Sequence, residues 1–527
     1  MIAAARRARR SGRPCGASPV GPAGRSLLEK LTGSTLVSGV LLRVGNRAGK
    51  VAAEAETERE AETELDVIVT VELGDTSYLL VSEGEAVLVD PQRDAWRFAA
   101  AAEARRATIR HVLETHVHND YVSGALEVRA ATGAEVAAPA DGGYQFPHRP
   151  MAEGDDLEVG ALTLTAWHTP GHTPEHTSYV VRAGGADDPV AIFTGGSLIV
   201  GAAGRTDLLG PDRTDGLTRA QFRSLSRLAG LPDGVRVLPT HGAGSFCSAG
   251  SGGGSRTSTI GAERLRNQAL GIPDEDDFVR LRTHELPRHP SYYRFMATIN
   301  RAGPPAVGRL PAVPALPPAE VARFVAAGAC IVDTRDRAAF AENHIMASVN
   351  VELGGSFSAY VGWLFTPDQP LILVVPEPAD ASLERAVTQL FRIGFDQIQG
   401  SVAGGVEAWR SEDRPVSSYP LVSVEELCGA LHGGETPYVL DVRQPVEHRE
   451  GMYPGTHGVF VADLPHQLAE VPQDIETWVI CASGLRASVA ASLLDGMGRR
   501  VRLVAERGVT DLLADCPPAG PQRQSVR

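Results

Sequence analysis

The stretch IRHVLETHVHNDYVSG (109–124) restricts the fold of this chain more than any other. An apolar, β-branched run leads straight into His-x-His-x-Asp, so a strand must end where two imidazoles and a carboxylate stand together. Upstream, VIVTVEL, TSYLLVS and EAVLVDP read as successive strands, and DAWRFAAAAEARRAT as a helix capped by Asp94. Strand, helix, strand and a polar loop at the strand's C-terminal end make an α/β arrangement, and that end is where such folds carry chemistry.

Two further histidines repeat the pattern. His172 follows the turn-forming Pro170-Gly171 in HTPGHTPEHTSY, and His241 follows an apolar strand in VLPTHGAGSFC. A single histidine is most simply a surface or hydrogen-bonded residue. Four of them at strand–loop junctions, His116, His118, His172 and His241, form the donor set that zinc or iron requires. Asp120 and Cys247 stand beside them as further ligand or pocket residues, with packing of a glycine-rich turn as the equal alternative for Cys247. Tyr121 occupies the place where one more histidine would complete a two-metal set.

Composition excludes several classes of partner. The net charge is −14 and the body of the chain has no basic patch, which rules against nucleic acid and a membrane surface. No uncharged apolar run approaches the ~18 residues needed to span a bilayer. The six cysteines, at 15, 247, 330, 428, 481 and 516, suggest no disulfide framework. Free thiols in a reducing, cytoplasmic setting are expected, with Cys330 and Cys428 as core residues. The arginine-rich start (1–25) has the composition of a transit peptide, a disordered tail or a misassigned start, and EAETEREAETELD (54–66) that of a solvated helix or linker.

At 527 residues the chain is too long for one ordinary domain. Its texture divides it into an N-terminal extension (1–64), a globular domain (65–300), a proline-rich linker (301–318), two segments of like pattern (319–412 and 421–516) and a tail (517–527). CSAGSGGGSRTS (247–258) reads as a flexible loop. ACIVDTRDRAAFAENHIMASVNVEL is echoed by YVLDVRQPVEHREGMYPGTHGVFVADL. Each is a strand ending in Asp-x-Arg, a helix and a turn into another strand, the mark of an internal duplication.

The second copy carries its own chemistry in TWVICASGLRASVAASLLDGMG (477–498). An apolar strand ends at Cys481, the loop Ala482-Ser483-Gly484-Leu485 follows, and a helix starts near Arg486. Loop N–H groups and a helix N-terminus converging on sulfur stabilise a thiolate and then a cysteine persulfide. Arg486 is placed to bind an anionic substrate head.

The four histidine-bearing and glycine-rich motifs, THVHNDYVSG, HTPGHTPEHTSY, FTGGSLIVGAAGRTDLLG and LPTHGAGSFC, resemble in order those of the metallo-β-lactamase fold in its persulfide dioxygenase and glyoxalase II branch. The resemblance covers roughly 67–300 and implies an αββα sandwich with a metal at one edge of its two sheets. Asp333-Thr334-Arg335 in one copy, and Asp441-Val442-Arg443 with the Cys481 loop in the other, resemble α/β rhodanese-like domains. In the first copy Pro376 stands where the cysteine belongs, which implies a structural or docking domain.

This domain order is similar to that of bacterial multidomain persulfide dioxygenase–sulfurtransferases. It implies a mononuclear non-haem iron on His116, His118 and His172, with zinc as the alternative. Small-molecule persulfides, sulfite and thiosulfate are the implied partners, Cys481 the sulfur carrier, and a homo-oligomer is compatible with the reading. Two positions depart from the family. Tyr121 argues against a two-metal hydrolase site, and Gly196 stands where the family's aspartate ligand belongs. His118, Asp120 or His241 would have to replace that ligand; Asp207 would not, because the family keeps that acid as well. The rival readings are a sulfurtransferase with a degenerate metal domain, a glyoxalase II-like thioester hydrolase, and a non-enzymatic sulfane-sulfur binding or delivery protein.

Overall fold

The computed structural model describes the backbone of residues 37–42 and residues 63–183, 187–249, 254–284, 286–433 and 437–517. The expected targeting or disordered start, nearly all of the tail and the middle of the 247–258 loop lie outside the described residues.

The first domain starts earlier than composition suggested. The strand Val37–Leu42 pairs antiparallel with Thr63–Thr70, Val37 opposite Ile68 and Leu42 opposite Thr63. The charge run at 54–66 therefore ends inside a strand, because Leu65 and Val67 alternate into the core while Asp66 is held by Arg105.

Among the described residues seven strands, in chain order from Val37–Leu42 to Arg149–Met151, form one sheet, and six more between residues 156 and 259 form a second. Period-two alternation decides which side each residue serves. Leu65, Val67, Tyr78, Leu80, Val87 and Val89 pack between the sheets against Leu164, Tyr179 and Phe193. Their neighbours Ile68, Leu79, Ala86 and Leu88 face outward onto Phe98, Ala102, Ala125 and Val128 of the helices Trp96–Ala104 and Ala125–Thr132. The second sheet is covered in the same way by Leu225 and Leu228 of the helix Pro211–Leu228. This is the expected αββα sandwich. Asp94 does not cap the helix Trp96–Ala104, which begins without a side-chain cap; its buried carboxylate is drawn instead to Arg392 and Arg97, at 2.7 and 3.1 Å.

The proline-rich segment is tied down at both ends. The N–H groups of Val307 and Gly308 donate to Glu127, and Ala315–Leu316 adds a parallel edge strand beside Ile398–Val402. An edge is where a proline-flanked strand can stand. The two segments that follow each contain a five-stranded sheet whose strands, counted along the chain, lie in the order 1-5-4-2-3. The duplication read from sequence is thus a duplication of topology.

The first of these segments is docked on the sandwich through buried charge. Arg392, at the end of the helix Ala379–Arg392, reaches Glu72 at 3.3 Å and Asp94 at 2.7 Å, and its carbonyl accepts the N–H of Val122 at 2.8 Å. Removing one partner of a buried pair strands the others without water. Arg392→Ala is expected to destabilise the protein by about 3–5 kcal/mol, measured by denaturant unfolding.

Cys428 and Cys516 form a disulfide, which corrects the expectation of free thiols throughout and of Cys428 as a plain core residue. It joins the helix Val424–His432 to the residue following the helix Val509–Asp515. Cys247, Cys330 and Cys481 are free. Such a bond sits poorly with the reducing compartment expected above. Its reduction is expected to lower stability by about 2–4 kcal/mol through the long loop it closes, seen as a lower melting temperature in reductant. Among the described residues no helix is long and apolar enough to cross a membrane.

Candidate metal centre and cysteine loop

Hydrogen bonds around the histidines fix which ring nitrogen is free. Thr115 donates its N–H and Oγ1–H to Asp90, at 2.8 and 2.7 Å. With that proton committed, Thr115 Oγ1 accepts from His116 Nδ1 at 2.8 Å, leaving the lone pair on His116 Nε2. His172 Nδ1 donates to the carbonyl of Arg205 at 2.8 Å, and its Nε2 is buried without a partner. His241 Nδ1 donates to Asp75 at 2.8 Å, and its Nε2 lies 3.3 Å from His116 Nε2. The three rings stand with centroids 4.9, 5.2 and 5.3 Å apart. Oxygen acceptors behind the rings are the usual device for aiming imidazole lone pairs at a metal. Burial, reinforced by the neighbouring imidazoles, holds His116 and His172 well below the ordinary histidine range, so both are neutral.

His118 has a different environment. Its Nε2 lies 3.0 Å from Tyr121 Oη, 3.1 Å from Glu114 and 3.3 Å from Asp90, while its Nδ1 is buried without a partner. Burial opposes the charge, but Asp90 and Glu114 outweigh it and hold the ring's pKa well above the usual range. Both oxygens of Asp120 are buried, with Oδ2 3.4 Å from His241 Nδ1 and the carboxyl of Asp75 adjacent. Burial pushes Asp75 up to about 7, and burial together with the adjacent Asp75 does the same to Asp120.

Unpartnered buried atoms on His118, His172, Asp75 and Asp120 are a donor set that a divalent cation would satisfy. His116, His118 and His241 bring ligand atoms within 4.8 Å of one another, as do His172, His241 and Cys247. Cys247 therefore faces the histidines; burial pushes its thiol well above the ordinary range. Because Asp75 and Asp120 hold protons up to about 7, and a bound cation favours their ionised forms, metal affinity is expected to fall as pH drops below 7. Proton release on titration with Fe²⁺ at pH 6 and pH 8 checks this, with the larger release at pH 6.

Gly196 brings no carboxylate, and the space beside it is filled. Its N–H donates to His176 Nε2 at 2.9 Å, and a Cβ there would come within 2.3 Å of His172 Cδ2. The His172 ring fills the space that a side chain at 196 would need. Asp207 is forked onto Arg205 at 2.7 Å for both oxygens. His176, quoted within its motif but given no role, is pushed down to about 3 by burial and anchors the Gly196 backbone. Asp75, Asp90 and Glu114 were missed altogether; their one signal in sequence is an acid at the edge of an apolar strand.

The buried strand Thr477–Ile480 ends at Cys481, and the helix Leu485–Gly496 follows. Gly484, at φ +87°, caps the helix and donates its N–H to Cys481 Sγ at 3.2 Å. One N–H on the sulfur replaces the several expected. Ala482 and Ser483 are exposed and Leu485 is half-buried. Arg486 is already paired: Nη2 meets Glu447 Oε1 at 2.8 Å and Nη1 meets Oε2. It is not the free anion site the spacing suggested, because Glu447, 39 residues earlier in the chain, competes for it. In the first copy Val375-Pro376-Glu377-Pro378 fills the equivalent place between the strand Leu371–Val374 and the helix Ala379–Arg392.

The family model of the metallo-beta-lactamase superfamily matches residues 71–241. A probable metallo-hydrolase of Burkholderia pseudomallei is 32% identical, the alignment covering 39% of this chain and 81% of that protein. The chain belongs to the metallo-beta-lactamase superfamily. A rhodanese-like domain model matches 317–412, the copy that lacks the cysteine. A hydroxyacylglutathione hydrolase of Methylobacillus flagellatus is 34% identical over 166 residues, and the chain spans 60% of its length and uses 31% of its own. The crystal structure of a metallo-beta-lactamase from Staphylococcus aureus is 29% identical with a TM-score of 0.58, covering 65% of this chain and 99% of that one. That share is more than the sandwich alone contains, so the similarity runs on past the superfamily domain.

Proposed function

We propose that this metallo-beta-lactamase superfamily chain oxidises a low-molecular-weight persulfide and carries a second sulfane sulfur on Cys481, giving thiosulfate. The reading is carried by one observation: a cluster of neutral, lone-pair-aimed histidines belongs to the same chain as a rhodanese-like domain and a Cys481 thiol that accepts a backbone N–H. His116 and His172 through Nε2, and His118 through its unpartnered Nδ1 once that ring gives up its proton, would hold a single iron, with His241 beside them in the role the missing carboxylate leaves open. Iron, when bound, supplies activation of O₂.

The chain's own residues account for the rest. Thr115, Arg205 and Asp75 keep three rings in the tautomer that offers Nε2 inward. At the second site the Cys481 thiolate attacks the outer sulfur of a persulfide; the S–S bond of the donor breaks and a thiolate leaves. Sulfite then takes that sulfur from Cys481, and thiosulfate departs with Cys481 again a thiolate. The sum is two persulfides, one O₂ and one water giving two thiols, thiosulfate and two protons. We further propose that 421–516 is a second rhodanese-like copy, on the shared 1-5-4-2-3 strand order.

A narrower reading, sulfurtransferase alone, is favoured by Gly196, which brings no carboxylate to the histidines. The test is mass analysis of the Cys481 peptide after exposure to glutathione persulfide, beside O₂ uptake by the same iron-loaded protein. Sulfur added with O₂ consumed supports the full reading. Sulfur added without O₂ uptake leaves the narrower one, and neither rejects both.

A further inference from the structure

The cysteine-less domain reaches into the Cys481 loop with one side chain. Arg337 opens the helix Arg337–Glu342, whose N-terminus is capped by Asp336. Its guanidinium is forked onto Glu352 through Nε and Nη2, the latter at 3.1 Å. The remaining nitrogen, Nη1, donates to two carbonyls of the other copy, Ser483 and, at 2.7 Å, Ala505. The fit is close: a Cβ on Gly484 would lie 2.1 Å from Arg337 Nη1 and 1.9 Å from the Ala505 oxygen.

The peptide between Ser483 and Gly484 is therefore held at both ends. Its C=O accepts from Arg337 and its N–H donates to Cys481 Sγ at 3.2 Å. A peptide unit is planar and trans, so C=O and N–H point in opposite directions, and fixing one aims the other. Glu352 balances the arginine's charge, so the effect is one of aim more than of added field. Without the clamp the Ser483–Gly484 peptide loses the bond that fixes its carbonyl, and the sulfur is expected to lose its aligned donor. Tyr360 of the helix Phe357–Leu364 and Arg486 interact electrostatically with Cys481, and Arg486 is bonded to Glu447 and not to this peptide's carbonyl.

We propose that Arg337 of the cysteine-less domain is a positioning residue for Cys481, acting through the Ser483–Gly484 peptide. The proposal rests on Cys481 as the sulfur carrier. It gives the domain without a nucleophile a part in the chemistry of its neighbour.

The test compares full-length Arg337→Ala, Arg337→Lys and Ser492→Ala. Ser492 accepts the N–H of Asn350 at 3.0 Å, so its loss weakens the same interface without touching the loop. Two quantities are read: the rate of thiosulfate:cyanide sulfur transfer, and the pH profile of Cys481 alkylation by iodoacetamide, followed by peptide mass. Arg337→Ala is expected to slow transfer at least tenfold and to move the alkylation profile to higher pH by about one unit. Arg337→Lys, which still offers a donor, recovers part of both, and Ser492→Ala changes neither. Unchanged rate and profile in Arg337→Ala, or equal changes in Ser492→Ala, overturn the proposal. Alkylation requires no sulfur transfer, so a wild-type protein that alkylates but never accepts sulfur rejects the carrier reading separately.

Discussion

Cys481→Ser is expected to abolish sulfur transfer from thiosulfate to cyanide and, with persulfide and O₂, to yield sulfite in place of thiosulfate. The hydroxyl keeps the volume and the Gly484 hydrogen bond but is not ionised near neutral pH, and it forms no persulfide. A loss of at least about a thousandfold is expected, the scale for removing a nucleophile. Cys481 is buried in the apolar cluster that includes Ala487, Val489 and Ala490, and a change this small should leave the melting temperature almost intact. O₂ uptake should continue, because the histidines lie in another domain. Transfer persisting in this variant would assign the carrier role to another thiol, and Cys247 and Cys330 are the free ones among the described residues.

The second large effect is on metal content. His172→Ala deletes a ring whose Nε2 is unpartnered and whose Nδ1 is anchored on the Arg205 carbonyl. Losing this nitrogen donor should bring bound iron, measured by emission spectroscopy after dialysis, to background, and O₂ uptake with it. His176→Ala makes the graded comparison. It removes the acceptor for the Gly196 N–H and supplies no ligand, so a loss of about 10–100-fold in affinity is expected, the size of effects exerted through a ligand's support. Full metal retention in His172→Ala would move the site toward His116, His118 and His241.

Much of this was legible in the residues themselves. The strands of the sandwich, the histidines at their ends and the Cys481 strand–loop–helix unit are set by local alternation and turn chemistry. What sequence hid depends on partners far along the chain. His241 gains its orientation from Asp75, 166 residues away, and Arg486 loses its freedom to Glu447. The disulfide pairs Cys428 with Cys516 through packing of two helices, not through spacing. Gly196 brings no carboxylate, and sequence could not show that the His172 ring takes the space a side chain there would need. The strand Val37–Leu42 was masked by the arginine- and glycine-rich composition around it.

The same long-range logic explains why the first rhodanese-like domain is more than a spacer. Arg392 holds the segment after His118 and Asp120 through the Val122 N–H, and Arg337 holds the Cys481 loop. One domain thus grips backbone next to both candidate sites.

Persulfide oxidation and sulfur transfer are proposed to run in this one chain. This is tested most directly by giving glutathione persulfide to the iron-loaded protein and quantifying O₂, sulfite and thiosulfate in the same vessel. Equal amounts of O₂ consumed and thiosulfate formed are expected, with little free sulfite. Iron bound without O₂ uptake would contradict the proposal, leaving Cys481 as the seat of a sulfurtransferase alone.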